Sequence, residues 1–176
     1  MSSVDYAFVL LDRLHASLQV GEVLTAIQEA LINLVGSEDF ALFVRDDESG
    51  RFERLLAIGA RAGAIQPFAT GEGVLGQAAA GGRIGYGVPV ASVPLRSGRG
   101  AGAVALVAIA GLLPQKPVLT AQDQALLELL SRHGGLALEA AVCAQAAPRP
   151  VCFAEELRRQ IAPLAVGATS LRGGRS

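Results

Sequence analysis

Apolar residues Val4, Ala7, Leu11, Leu14 and Leu18 recur three and four apart, which is one stripe of an amphipathic helix over residues 4–18. Gly21 interrupts the pattern, and a second stripe of Val23, Ile27, Ala30, Leu31 and Leu34 predicts a helix over 22–35. Gly36 stands where a left-handed helix cap belongs. The period then changes. FALFVR (40–45) and FERLLAI (52–58) read as strands, and DDESG between them supplies an acidic, glycine-ended turn, so the two form a hairpin. Residues 74–80 read as a short helix. VASVPL (90–95) and AVALVAI (103–109) form a second hairpin through RSGRGAG. Thr120 with Asp123 three positions on makes a capping box with aspartate in place of glutamate, opening a long helix to about residue 146. This order predicts the α+β class, an antiparallel sheet with helices packed mainly on one face. Residues 1–146 form the domain. In 147–176, a proline-containing link leads to an amphipathic stretch at 153–164, carrying Phe153, Leu157, Ile161 and Leu164, and then to a tail-like end.

One segment competes with this reading. GEGVLG (71–76) matches the G-x-G-x-x-G of dinucleotide-binding turns. Such a turn belongs to a parallel βαβ unit with an acidic residue about 20 positions on. Here that position falls near Ser92 and Leu95, and the next acid after Glu72 is Asp123. The following strands are also joined too closely for a parallel crossover. No Gly-Lys-Ser/Thr follows, which excludes a P-loop. The glycines are therefore expected to shape the chain: Gly71 and Gly73 in a tight turn, Gly76 where the short helix lies close to the sheet, and Gly81-Gly82 at its end.

Composition narrows the function classes. A length of 176 residues suits one domain with a substantial core. The 51% of hydrophobic residues come in short blocks, with no apolar run of about 18, so no membrane insertion is expected. Asp5 and Asp12 interrupt the N-terminal apolar block, which does not read as a secretory signal, and a cytoplasmic protein is expected. A formal net charge of −1 argues against a nucleic-acid partner. Residues 74–122 hold no acid but carry Arg83, Arg96, Arg99 and Lys116; the simple reading is buried sheet plus a turn, the sharper one an anion-binding face. The acidic DDESG turn has too few carboxylates, out of register, for a calcium loop. Cys143 and Cys152 match no metal-ligand spacing with His15 and His133, so no metal, no cofactor and two reduced thiols are expected.

Taken in order, three stretches carry a family resemblance. GEGVLGQAAAGGR (71–83), SVPLRSGRGAGAVALVAI (92–109) and LTAQDQALLELLSRHGGLALEAA (119–141) resemble the glycine stretch and short helix, the later strand pair and the closing helix of GAF domains. With the opening helices and first hairpin in the expected order, the resemblance spans about residues 4–145. It implies a PAS/GAF/profilin-like architecture and a regulatory role. Family members hold cyclic nucleotides, haem, bilins or other small molecules between sheet and covering helices; others act as dimerisation or docking modules. Only RIGYGVPVA separates Gly82 from Ser92, where ligand-binding members insert a longer lid. The Asn-Lys-x-x-Glu/Asp motif of the phosphodiesterase members, a bilin-attaching cysteine and the cysteines of the methionine sulfoxide-reducing members are all missing, so catalysis is not expected.

Three sets of candidate residues follow. If the domain senses a ligand, nucleotide-like or otherwise anionic, the resemblance puts Phe43, Leu56, Val74, Ser92 and Arg96 near its pocket. If it acts by contact, the stripes of the first and last helices, Leu11, Leu14, Leu18, Leu126, Leu129, His133 and Leu136, join two copies in a helical bundle, as the resemblance suggests. The last helix has a second apolar row, Leu127, Leu130, Ala137 and Ala141, and a helix with two rows takes two partners. His133 also reads as a half-buried core histidine, and His15 carries no special role. Phe153, Leu157 and Ile161 are the candidates for docking an unknown protein partner, although this segment reads equally as folding back on its own domain. A homodimeric adaptor in bacterial signalling, motility or secretion is the leading expectation, a small-molecule sensor the alternative, and a roadblock- or longin-type dimer a third.

Overall fold

A computed structural model describes residues 2–100, 102–146 and 153–169. Cys152 and the tail beyond residue 169 lie outside them. Six strands, β1 (Asp39–Arg45), β2 (Arg51–Ile58), β3 (Phe68–Ala69), β4 (Gly85–Tyr86), β5 (Ala91–Arg96) and β6 (Ala103–Gly111), form one antiparallel sheet in the order β3-β2-β1-β6-β5-β4. The helices are α1 (Ser3–His15), α2 (Val20–Glu29), α3 (Ala60–Ala64), α4 (Gly73–Gly81), α5 (Ala121–Gln145) and α6 (Phe153–Thr169).

Both expected hairpins form, and the acidic turn closes the first of them, with Asp46 Oδ1 accepting from the backbone N–H groups of Glu48 and Ser49. Two two-residue edge strands and α3 add to the expected elements, because pieces that short show no periodicity. The second expected helix is α2 continued by a π-helical turn, Ala30–Val35, and ends at Gly36 in the left-handed conformation (φ 77°), as anticipated. At the start of α5 the Thr120 side chain accepts from the Asp123 N–H while the Asp123 carboxylate accepts from the Thr120 N–H, the reciprocal bonds of a capping box. Ser2 and Asp5 build the same box on α1.

The sheet is covered on both faces, and strand alternation sorts its side chains. Phe40, Leu42 and Val44 of β1, Val93 and Leu95 of β5, and Val107 and Ile109 of β6 point into the larger core under α1, α2, α5 and α6. Ala41, Phe43, Leu106 and Ala108 point the other way, into a smaller core closed by α3 and α4. Because both faces are buried, β1 and β6 read as nearly continuous apolar runs instead of alternating ones.

The glycine cluster is architectural, as the sequence argued. Gly71 and Gly73 adopt left-handed backbone (φ 84° and 60°) in the turn that leads into α4. A Cβ at Gly76 would sit 2.3 Å from the Ala69 carbonyl oxygen, so only glycine lets α4 lie this close to β3.

Candidate functional site

Three surfaces positioned by this fold bear on function. The first is the outer side of α1 and α5. α1 buries Leu10 and Leu14 against α5 and α2, which turns Val4 and Phe8 outward, 74% and 70% exposed. The helix ends at His15, short of the expected residue 18, and Leu18, 57% exposed, lies in the link to α2. Within the helix, Val4, Phe8, Leu11 and His15 follow the alternating four- and three-residue spacing of a coiled-coil seam. On α5 the second row, Leu127, Leu130, Ala137 and Ala141, is the one that meets the core. The first row starts buried at Leu126 and emerges through half-buried Leu129 and His133 to Leu136, 42% exposed. His15 Nε2 lies 3.4 Å from His133 Nδ1, with the rings edge to face, so the two rows run side by side as one apolar strip. Burial, and then the charges of His15 and Arg132, hold His133 below its ordinary pKa, so its neutral form prevails near pH 7.

This placement refines the expected interface. Leu11, Leu18, Leu129, His133 and Leu136 reach the surface, but Leu14 and Leu126 are enclosed by their own chain and have no side-chain surface left for a partner. Phe8, the most conspicuous ring of the strip, escaped the sequence reading because α1 is apolar on several sides. His15, expected to carry no special role, is the contact of His133.

The second surface is the sheet face beneath α3 and α4, where a GAF-type pocket was expected. It is filled. Phe68 packs against Phe43 at 5.1 Å between ring centroids and stacks on Phe52 at 5.0 Å, and all three rings are buried. The candidate ligand residues do not converge there. Phe43 and Ser92 lie on this face, and Val74 is half-exposed at the first turn of α4. Leu56 instead packs against the larger core on the other face. The Arg96 guanidinium is held by Ser131 Oγ at 3.3 Å and Glu128 Oε2 at 3.2 Å, both on α5. The Ser92 hydroxyl is wholly buried and finds no hydrogen-bond partner among the described residues.

The acid-free stretch is likewise neutralised from outside itself. Lys116 Nζ donates to Asp123 Oδ1 and to the Val35 carbonyl, both at 2.6 Å. Arg99 rests on Cys143 Sγ, and Glu139 accepts from Ser97 Oγ and the Gly98 N–H in the β5–β6 turn. Residues without acids of their own are thus served by the carboxylates of α5. Among the described residues no group of three or more His, Cys, Asp or Glu side chains is placed to hold a metal. None of their helices is long and apolar enough to cross a membrane.

The third surface lies where α6 returns to the domain. Of the expected docking residues, Leu157 is fully buried against the larger core together with Ala154, and Phe153 and Ile161 are partly buried there. The segment therefore folds back on its own chain.

Comparisons with known proteins bear on this architecture. No family model matches the sequence, and no curated protein matches it. Among solved structures, the GAF domain from an Acinetobacter phosphoenolpyruvate-protein phosphotransferase superposes with a TM-score of 0.62 at 12% identity, over 82% of this chain and 98% of that one. The GAF domain of a phosphoenolpyruvate-protein phosphotransferase from Coxiella burnetii gives 0.59 at 12% identity, over 82% and 97%. Residues 122 to 287 of a methyl-accepting chemotaxis protein give 0.58 at 16% identity, over 78% and 99%. Sheet order, helix placement and these superpositions agree that the chain has the GAF-domain fold.

Proposed function

We propose that the protein is a non-catalytic regulatory or adaptor module of bacterial signalling, motility or secretion, acting in the cytoplasm as a homodimer joined along α1 and α5. The exposed apolar strip of Val4 and Phe8 on α1 and Leu136 on α5, with Leu18 just beyond the end of α1, carries this reading. Isolated apolar side chains on a surface are ordinary, but a contiguous row at coiled-coil spacing on two adjacent helices is what helical pairing uses. The named neighbours, GAF domains of phosphoenolpyruvate-protein phosphotransferases and a segment of a methyl-accepting chemotaxis protein, fit it.

Sedimentation velocity tests it directly. The wild-type chain is expected to run as a dimer, and Phe8→Glu with Leu136→Glu as a monomer of unchanged circular dichroism. Losing anchors of that size weakens association by at least about thirty-fold. A wild-type chain that stays monomeric at high concentration sinks the dimer.

A small-molecule sensor is the second reading, and the orphaned Ser92 hydroxyl favours it. Arg96 is not its anion anchor, being committed to Ser131 and Glu128. The packed rings of Phe43, Phe52 and Phe68 leave a ligand little enclosed space beside them, and affinity follows enclosure.

A further inference from the structure

α6 sits on a surface that it does not fill. Ala154 and Leu157 insert against α2 and α5, and Phe153 and Ile161 cover the edges. Beside Ile161 a groove of about 890 Å³ runs on between α2 and β2, over Val20, Leu24, Leu55, Leu56 and Ile58. The three β2 residues are only half-buried. Polar matching is also incomplete. Arg158 Nη2 and Gln160 Oε1 are buried by the docked helix without a hydrogen-bond partner among the described residues. The Asp46 carboxylate, in the turn that closes the β1–β2 hairpin, is held by the Glu48 and Ser49 N–H groups and makes no ion pair with Arg158 among the described residues. Residues 147–152, which include two prolines, link α5 to α6 in the sequence.

From this we infer that the face formed by α2, α5 and β2 is a docking surface for an amphipathic helix of a partner protein, and that α6 holds it in cis until such a helix displaces it. The spacing of α6 states what that helix must present: a small residue, a leucine three positions on, a basic residue next to it and an isoleucine four positions after the leucine. The apolar features have counterparts: the core for the small residue and leucine, and the wall of Leu55, Leu56 and Ile58 for the isoleucine and whatever follows it. A partner helix that reaches further along the groove and leaves no buried polar atom like Arg158 Nη2 or Gln160 Oε1 unpartnered outcompetes α6, because the tethered helix forgoes both gains. The inference rests on the adaptor reading and names the surface through which the adaptor receives its partner.

A labelled peptide with the sequence of residues 153–169 serves as the probe. Full-length wild type is expected to capture it weakly, since its own helix occupies the site. Full-length Leu157→Asp, whose helix no longer seats, is expected to capture it at least about ten-fold more tightly, the factor by which the free site gains population. The same peptide carrying Leu157→Asp is expected to bind neither chain. Equal capture by both chains, or capture of the altered peptide, overturns the proposal. Should Leu157→Asp unfold the protein, hydrogen exchange of the wild type decides. Amides of residues 154–162 are expected to exchange at least about ten-fold faster than those of β6 and α5, and exchange in one event with the core overturns release. A wild-type dimer that Leu157→Asp dissociates would mean α6 is exchanged between copies, which overturns the cis arrangement. Capture is read equally on the Phe8→Glu, Leu136→Glu chain, so failure of the docking surface and failure of the dimer are told apart.

Discussion

Lys116, the only lysine of the chain, ties three elements with one ammonium group. It donates to the carbonyl that ends the π-helical turn and to Asp123, whose side chain is 4% exposed and which also caps α5. Lys116→Met leaves that carboxylate enclosed without its cation, a change expected to cost about 2 kcal/mol, less than for a fully buried pair because the lysine is itself 24% exposed. Urea denaturation measures it, and an unchanged midpoint would refute the pairing. His133 makes the second residue-scale prediction. Its folded pKa lies below the ordinary 6.5, so as pH falls the unfolded chain binds a proton that the folded imidazole resists. Its stability contribution is therefore complete above about pH 6.5 and declines below it. The carboxylates held low in the fold, Asp5, Asp46 and Glu156, start from ordinary values of 3.8, 3.8 and 4.5, so their losses fall in a separate, more acidic window. His133→Asn is expected to flatten the thermal-stability slope between pH 7 and 5.5 and leave the acid limb unchanged. The capping box at Thr120 was fully legible because it is local chemistry. The partners of Lys116 were not, since Val35 meets it only through the tertiary fold.

At the scale of elements the same division recurs. Strands β1, β2, β5 and β6 and helices α2, α4 and α5 were visible in periodicity and punctuation. The face of α1 was not: with Ala7, Phe8, Val9, Leu10 and Leu11 in succession, several stripes can be drawn, and contact with α5 selects the one through Leu10 and Leu14. The paired glycines within α5 show why a local penalty is tolerated. Each glycine costs a helix interior about 1 kcal/mol, yet a Cβ at Gly135 would stand 2.0 Å from the Arg96 carbonyl oxygen of β5. Gly135→Ala must therefore push α5 off the sheet, and the expected net loss is about 2 kcal/mol despite the better helix former. Gly81, near the end of α4, faces open space, so Gly81→Ala is expected to be neutral or to gain up to about 1 kcal/mol. Thermal melts of the pair separate close packing from general intolerance of side chains; equal losses would refute the close approach.

For the whole molecule, the question is what a GAF fold does when the layer that houses a ligand elsewhere has become a second core. Alternation along β1 and β6 sends aromatic and small side chains to that face, and Phe43, Phe52 and Phe68 occupy it with Ala78 and Ala79 of α4 above the sheet. The sequence placed Phe43 at a pocket but could not show that Phe52 and Phe68 converge on it, because the three rings come from three strands. A packed layer here favours the proposed action through outer surfaces, the α1–α5 strip and the seat of α6. Phe68→Ala tests the packing, since Phe68 joins the other two rings and lies nearest the sheet edge. Removing it is expected to cost about 3 kcal/mol, the lower part of the range for a buried phenylalanine. The cavity left behind is apolar, so toluene is expected to recover part of the lost melting temperature, while a cyclic nucleotide shifts neither the variant nor the wild type. A cyclic-nucleotide shift in the wild type would instead mean that the layer opens to admit a polar guest, and the sensor reading would then displace the adaptor.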